Sequence, residues 1–95
     1  MMKVGKHTAF MVDFVSDFAD GEISRYNFEM DYSGYIIKHF PLMEKEDACL
    51  AQKFADTVDS TVEYAGINNI SDDDFRILIN NSICDFLGID DPDVE

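Results

Sequence analysis

The sequence predicts an all-α fold, a compact four-helix bundle with helices at about 8–20, 22–40, 47–65 and 71–87, and three observations predict it. Apolar residues recur at the helical period in separate stretches. Capping residues and glycines fall at the ends of those stretches. And 46% of the 95 residues are apolar, including eight Phe and four Tyr, so one domain can close a core although the formal net charge is -13.

From Thr8 to Asp20 the apolar positions are Phe10, Met11, Phe14, Val15 and Phe18. Those spacings draw one stripe on a helix, with Asp13, Asp17 and Asp20 on the opposite face. Thr8 is a suitable N-cap, and Gly21 supplies the left-handed residue that commonly ends a helix.

The next stretch carries two periods at once. Tyr26, Phe28, Met30 and Tyr32 alternate with polar residues, as in a half-buried strand, and Ser33-Gly34 could turn the chain into a second strand. Phe28, Tyr32, Tyr35, Ile36 and His39 instead fall on one helical face, with Ile23, Met30 and Ile37 as a second row. Ser-Gly is a weak hairpin turn, and an isolated two-stranded ribbon is marginal. A long helix with Gly34 inside it is therefore the expectation, ended or kinked at Pro41. The alternative is an α+β fold with a hairpin at 25–40.

Leu42 to Glu46 reads as a short connecting turn. Beyond it Leu50, Ala51, Phe54, Ala55, Val58, Val62 and Ala65 form a near-heptad that reads as core packing, closed by Gly66. Ile67 to Ile70 is a loop. Ser71 then starts the last helix as a cap, with Asp74 as box partner and Ile70 placed to staple onto Phe75. Asp72, Asp73 and Asp74 complement the positive end of that helix. Phe75, Leu78, Ile79, Ile83, Phe86 and Leu87 make its stripe, and Gly88 stops it. A single domain, 1–95, is expected, with a frayed segment 1–7 and an acidic tail 89–95.

Composition excludes several functions. No apolar run is long enough to span a bilayer, and the lysines of the N-terminus are followed by no export-type apolar region, so a cytoplasmic protein is expected. An anionic leaflet repels such a chain, and without a basic patch it has nothing to bind nucleic acid directly. Cys49 and Cys84 read as reduced core thiols.

Catalytic chemistry has little to build on. His7, His39, Cys49 and Cys84 share no local ligand spacing, so no metal is expected. Asp72-Asp73-Asp74 and Asp90-Asp91-Pro92-Asp93 lack the alternating ligands, Gly and Glu of a calcium loop. Cys84 has no basic neighbour to activate it for a dyad with His39. All five glycines are isolated, so phosphate loops are absent. No enzyme activity and no cofactor are expected.

What remains is acid: twenty Asp and Glu against seven Lys and Arg. Asp13, Asp17 and Asp20 form one column and Asp56, Asp59 and Glu63 another, with Asp72 and Asp73 beside them as partner-binding candidates. Carboxylates so spaced lie about 5–6 Å apart at Cβ, near the phosphate repeat of a nucleic-acid strand. A surface with this excess attracts cationic partners. In size, charge and helical build, though in no motif, the chain resembles small phage-encoded counter-defence proteins of the anti-CRISPR and DNA-mimic type. The resemblance implies an inhibitor that occupies the nucleic-acid site of a basic partner such as a CRISPR effector, restriction enzyme or nuclease. Tyr26, Tyr35 or Tyr64 would then serve as anchors. Two alternatives are an immunity protein or antitoxin against a basic toxin, and an adaptor that binds through an apolar patch while charge serves solubility. Self-association through the aromatic-rich surface is a further contact the composition allows.

Overall fold

Ser24, Asp47 and Ser71 each begin a helix by the same chemistry. In the computed structural model, which describes residues 5–88, the side-chain oxygen of each accepts the backbone N–H three residues on, from Asn27 at 3.2 Å, Leu50 at 3.0 Å and Asp74 at 3.1 Å. The helices so started are α2 (Arg25–Glu46), α3 (Ala48–Phe54) and α5 (Asp72–Leu87), while α1 is Lys6–Ala19. α3 continues without a break into a π-helical segment, Ala55–Asp59, and then into α4 (Ser60–Asn68). Together α3, the π segment and α4 form the third rod of an all-α bundle of four rods. The described residues contain no strand, so the hairpin alternative at 25–40 is overturned in favour of the long helix.

Several boundaries differ from expectation, each for a physical reason. Thr8 is not the first cap: α1 starts two residues earlier, from Gly5, and Thr8 is buried inside it. The cap comes instead from the far end of α2. The Glu46 carboxylate accepts the N–H of His7 at 2.8 Å and, through its other oxygen, the N–H and hydroxyl of Thr8 at 3.1 and 3.0 Å. Gly5 leaves room for that carboxylate, since a Cβ here would push the Glu46 side chain aside. Residues 5–7, expected to fray with the rest of 1–7, are thus tied down.

Pro41 neither ends nor breaks α2, and the expected turn at Leu42–Glu46 is helical. Proline removes one donor, so the Ile37 carbonyl loses its partner, but on the exposed face water can replace it. Asp47, extended at φ -167°, is the true break. Likewise Gly66 lies within α4, and the left-handed residue that stops the rod is Asn69 at φ 53°. At the end of α1 the expectation holds: Gly21 has φ 86°, Gly21 N–H donates to Phe18 O and Glu22 N–H to Asp17 O, the paired closure of a Schellman turn. Gly88 ends α5 in the left-handed conformation too, at φ 75°, with its N–H donating to Asp85 O. The acidic tail 89–95 lies outside the described residues.

The core is one cluster. Phe18, Phe28 and Phe75 are fully buried and meet ring to ring, with Phe28 4.3 Å from Phe18 and Phe75 4.9 Å from Phe18 between centroids. Met11, Val15, Tyr32, Met43, Phe54, Val58, Ile79 and Phe86 extend it. Ala51, Phe54, Val58 and Ala65 are buried, so the near-heptad is core and not a partner seam. Ile70 and Phe75 join the same cluster, as the staple requires.

The chain's two arginines close the bundle reciprocally. Arg76, on α5, lies over the Phe18 ring at 4.7 Å and donates to the carbonyls of Phe18 and Ile23, both at 3.0 Å, gripping the α1–α2 turn. Arg25, at the start of α2, lies over the Phe75 ring at 4.9 Å and donates to the Ile70 carbonyl and to Asp72, gripping the α4–α5 turn. Each guanidinium joins a cation–π contact to fork-like hydrogen bonding that an ammonium group cannot reproduce.

Candidate partner-binding surface

Where the cations go decides what the carboxylates can do. Among the described residues only two ion pairs form, and both use Arg25: to Glu29 at 3.0 Å and to Asp72 at 3.1 Å. Arg76 is committed to backbone carbonyls. No lysine of the described residues lies within salt-bridge distance of a described acid. Apart from Glu29 and Asp72, the acids of the described residues are consequently without a paired cation at short range.

The expected acidic residues divide into two groups. Asp13, Asp17 and Asp20 are exposed along α1, and Asp56, Glu63 and Asp73 are exposed on the π segment, α4 and α5. Asp56 holds the Gln52 amide at 2.9 Å, one turn away. Asp59 is not a free member of its column. It is half-buried and accepts the Tyr32 hydroxyl at 2.7 Å. Burial first, and then the hydrogen bond to Asp59 and the charges of Asp59 and Glu63, push the Tyr32 phenol far above its ordinary range, so it stays a donor. Asp72 is paired with Arg25.

The π segment interrupts the second column. Around it three hydroxyls bond back to carbonyls one turn earlier, Thr57 to Lys53 O, Ser60 to Asp56 O and Thr61 to Thr57 O, at 2.7, 2.7 and 2.9 Å. Two hollows flank the Tyr32–Asp59 bridge. One, of about 410 Å³, is lined by Arg25, Glu29, Ser33, Val62, Gly66 and Asn69 among others. The other, of about 330 Å³, is lined by Ile36, Ile37, Phe40, Pro41, Ala55 and Asp59.

Sequence reasoning missed a polar cluster at the α1–α2 end. His7, expected in a frayed segment, and His39 bring their Nδ1 atoms to 2.9 Å. The ring centroids are 5.1 Å apart, close to the greatest separation such a contact allows, so the two nitrogens aim at each other. That is the geometry of a hydrogen bond, whereas metal ligands converge on a third point. Phe10 packs on His39 at 4.4 Å between centroids. Desolvation, then His7 and Lys38, hold the His39 imidazole below its ordinary value, against the opposing pull of Glu46. The Glu46 carboxyl is itself held low: burial acts to raise it, but the donors from His7 and Thr8 outweigh that. Only the meeting of residues 39 positions apart could have revealed this cap.

Neither thiol is in the core, contrary to expectation: Cys49 is exposed in the first turn of α3 and Cys84 half-buried on α5, and both are free. No three His, Cys, Asp or Glu side chains among the described residues are grouped to hold a metal ion. No helix among them is long and apolar enough to cross a membrane. Of the expected aromatic anchors, Tyr26 and Tyr64 are exposed, while Tyr35 is half-buried against Phe10 and Phe14. Compared as a whole, the chain matches no protein-family model, no curated protein and no solved structure.

Proposed function

We propose that this chain is a non-enzymatic inhibitory protein whose acidic surface occupies the nucleic-acid site of a basic partner, in the manner of the anti-CRISPR and DNA-mimic proteins it resembles in size and charge. One observation carries the reading: both arginines are committed within the fold, so Asp13, Asp17, Asp20, Asp56, Glu63 and Asp73 face solvent with no cation at short range among the described residues. Such a surface steers a cationic groove towards it, and each carboxylate can take the place of a phosphate at a Lys or Arg. Asp13, Asp17 and Asp20 form the continuous row best suited to this, since Asp59 and Asp72 already have partners. Tyr64 is an exposed ring that can add desolvated contact.

The test is capture from a host lysate, followed by competition and a salt titration. The reading expects a basic, nucleic-acid-binding protein that is released by duplex DNA or RNA. It also expects affinity to fall by roughly tenfold or more between low and physiological salt. The triple change Asp13→Asn, Asp17→Asn, Asp20→Asn should weaken capture without unfolding the chain. A partner indifferent to salt, to nucleic acid and to those substitutions overturns the reading.

A further inference from the structure

One face of α2 is apolar, and none of the described residues covers it. Tyr26, Met30 and Ile37 are 71%, 59% and 75% exposed, and Pro41 lies in line with them. With Ser33 and Gly34 these residues fall within an arc of about 100° and run about 22 Å along the helix. No charged side chain interrupts the row between Tyr26 and Pro41.

The row reads the same in both directions. From Tyr26 the steps to Met30, Ser33, Gly34, Ile37 and Pro41 are four, three, one, three and four residues. Its midpoint lies between Ser33 and Gly34, its two smallest side chains. Gly34 sits in the middle of a long helix, where glycine is unfavourable relative to alanine, yet a Cβ built on it meets nothing within 4 Å. The protein's own packing therefore gives no reason for glycine there. Close approach of another helix does.

We infer that a second copy of this chain covers this face, with two α2 helices crossing antiparallel about a two-fold axis at Ser33–Gly34. That operation places Tyr26 against Pro41 of the other copy, Met30 against Ile37, and Gly34 against Ser33, so the face is complementary to itself. Charge agrees with the arrangement. Asp31 and Lys38 lie on the same flank of the row, and neither makes an ion pair with another of the described residues. The two-fold axis brings Asp31 of each copy beside Lys38 of the other, giving two equivalent pairs. The two small central residues let the backbones approach closely enough for the flanking side chains to interdigitate. One helix pair is smaller than a standard interface of about 1,200–2,000 Å², so the dimer is concentration-dependent. Lysine and aspartate serve register here, since isolated surface pairs contribute little affinity.

Sedimentation equilibrium of the whole chain, from about 1 µM to about 500 µM, tests this. A monomer–dimer equilibrium is expected. It should strengthen with added salt, because screening relieves repulsion between two strongly anionic bodies. That is the opposite of the salt response of a cationic partner, so the two proposals fail separately. Gly34→Gln should raise the melting temperature of the monomer while weakening dimerisation at least about tenfold. Ile37→Glu should abolish it. Lys38→Glu should weaken it about tenfold, and the double exchange Asp31→Lys with Lys38→Glu should restore it, which only a partner carrying the same two residues permits. A chain that stays monomeric throughout the range overturns the inference. So does a dimer indifferent to Gly34→Gln and the charge exchange, or a monomer whose capture of a different protein is lost with Ile37→Glu.

Discussion

His7 and His39 face each other nitrogen to nitrogen at 2.9 Å, a line that holds one proton and not two. The contact joins the start of α1 to the last third of α2, beside the carboxylate that caps α1. Acidification therefore acts on the seam between these two helices.

Stability should fall in two windows as pH is lowered. His39 titrates below its ordinary 6.5 in the folded chain, so the unfolded chain takes up the proton first. The resulting loss is absent well above 6.5, grows as pH falls through 6.5, and is complete below the folded value. Glu46 has the opposite chemistry and the same outcome. Its folded pKa lies below 4.5, so its contribution is intact above 4.5 and disappears as pH falls through the folded value. Melting temperatures measured from pH 8 to pH 4, wild type against His39→Gln, should diverge near 6.5. Parallel curves would show that the imidazole pair is not coupled to folding.

The Glu46 cap and Gly5 should behave as one unit. Glu46→Ala removes the acceptor for two N–H groups and one hydroxyl and should cost about 1–2 kcal/mol. Gly5→Ala displaces the same carboxyl group and should cost a similar amount. In the double variant the second change should cost far less than it does alone, a non-additivity that denaturant unfolding of the four proteins can read.

Arg76→Lys should not be conservative. An ammonium group cannot reach the Phe18 and Ile23 carbonyls together while lying flat on the Phe18 ring. A loss of about 1–2 kcal/mol is expected from one forfeited hydrogen bond and the weakened ring contact. A value near zero in urea titration would mean that the α1–α2 turn holds itself.

Added salt should stabilise the monomer. With two ion pairs among the described residues and a net charge of -13, long-range repulsion dominates over attraction, and screening removes it. The melting temperature at low chain concentration should rise between about 20 and about 300 mM sodium chloride. A decline would point to attractive pairs that outweigh the repulsion.

Most of the fold was legible because local chemistry specifies it. Ser71 and Gly88 bound α5, Gly21 closes α1, and the apolar rows of α1, α3–α4 and α5 are the buried ones. The misplaced boundaries share one cause: they depend on groups distant in sequence or on tolerance of an awkward residue. Thr8 looked like a cap until Glu46 arrived from 38 residues away. Pro41 and Gly66 look like breakers, yet helix hydrogen bonds on both sides carry the chain through them. The second acidic column was drawn on an ideal helix, and the wider π turn with the Tyr32 hydroxyl took Asp59 out of it. Along α2 the helical rows are legible, but nothing in the sequence gives Met30 and Ile37 a separate role, since periodicity marks two faces without saying which is inside.

Arg25 and Arg76 link two properties usually treated apart. A bolt across each chain reversal keeps the rods from splaying, and these same two bolts are the only planar, permanently charged forks the molecule owns. Fastening the architecture thereby leaves Glu29 and Asp72 as the acids among the described residues that a guanidinium answers. Any substitution that frees a guanidinium should loosen the frame and blunt the exterior in one stroke.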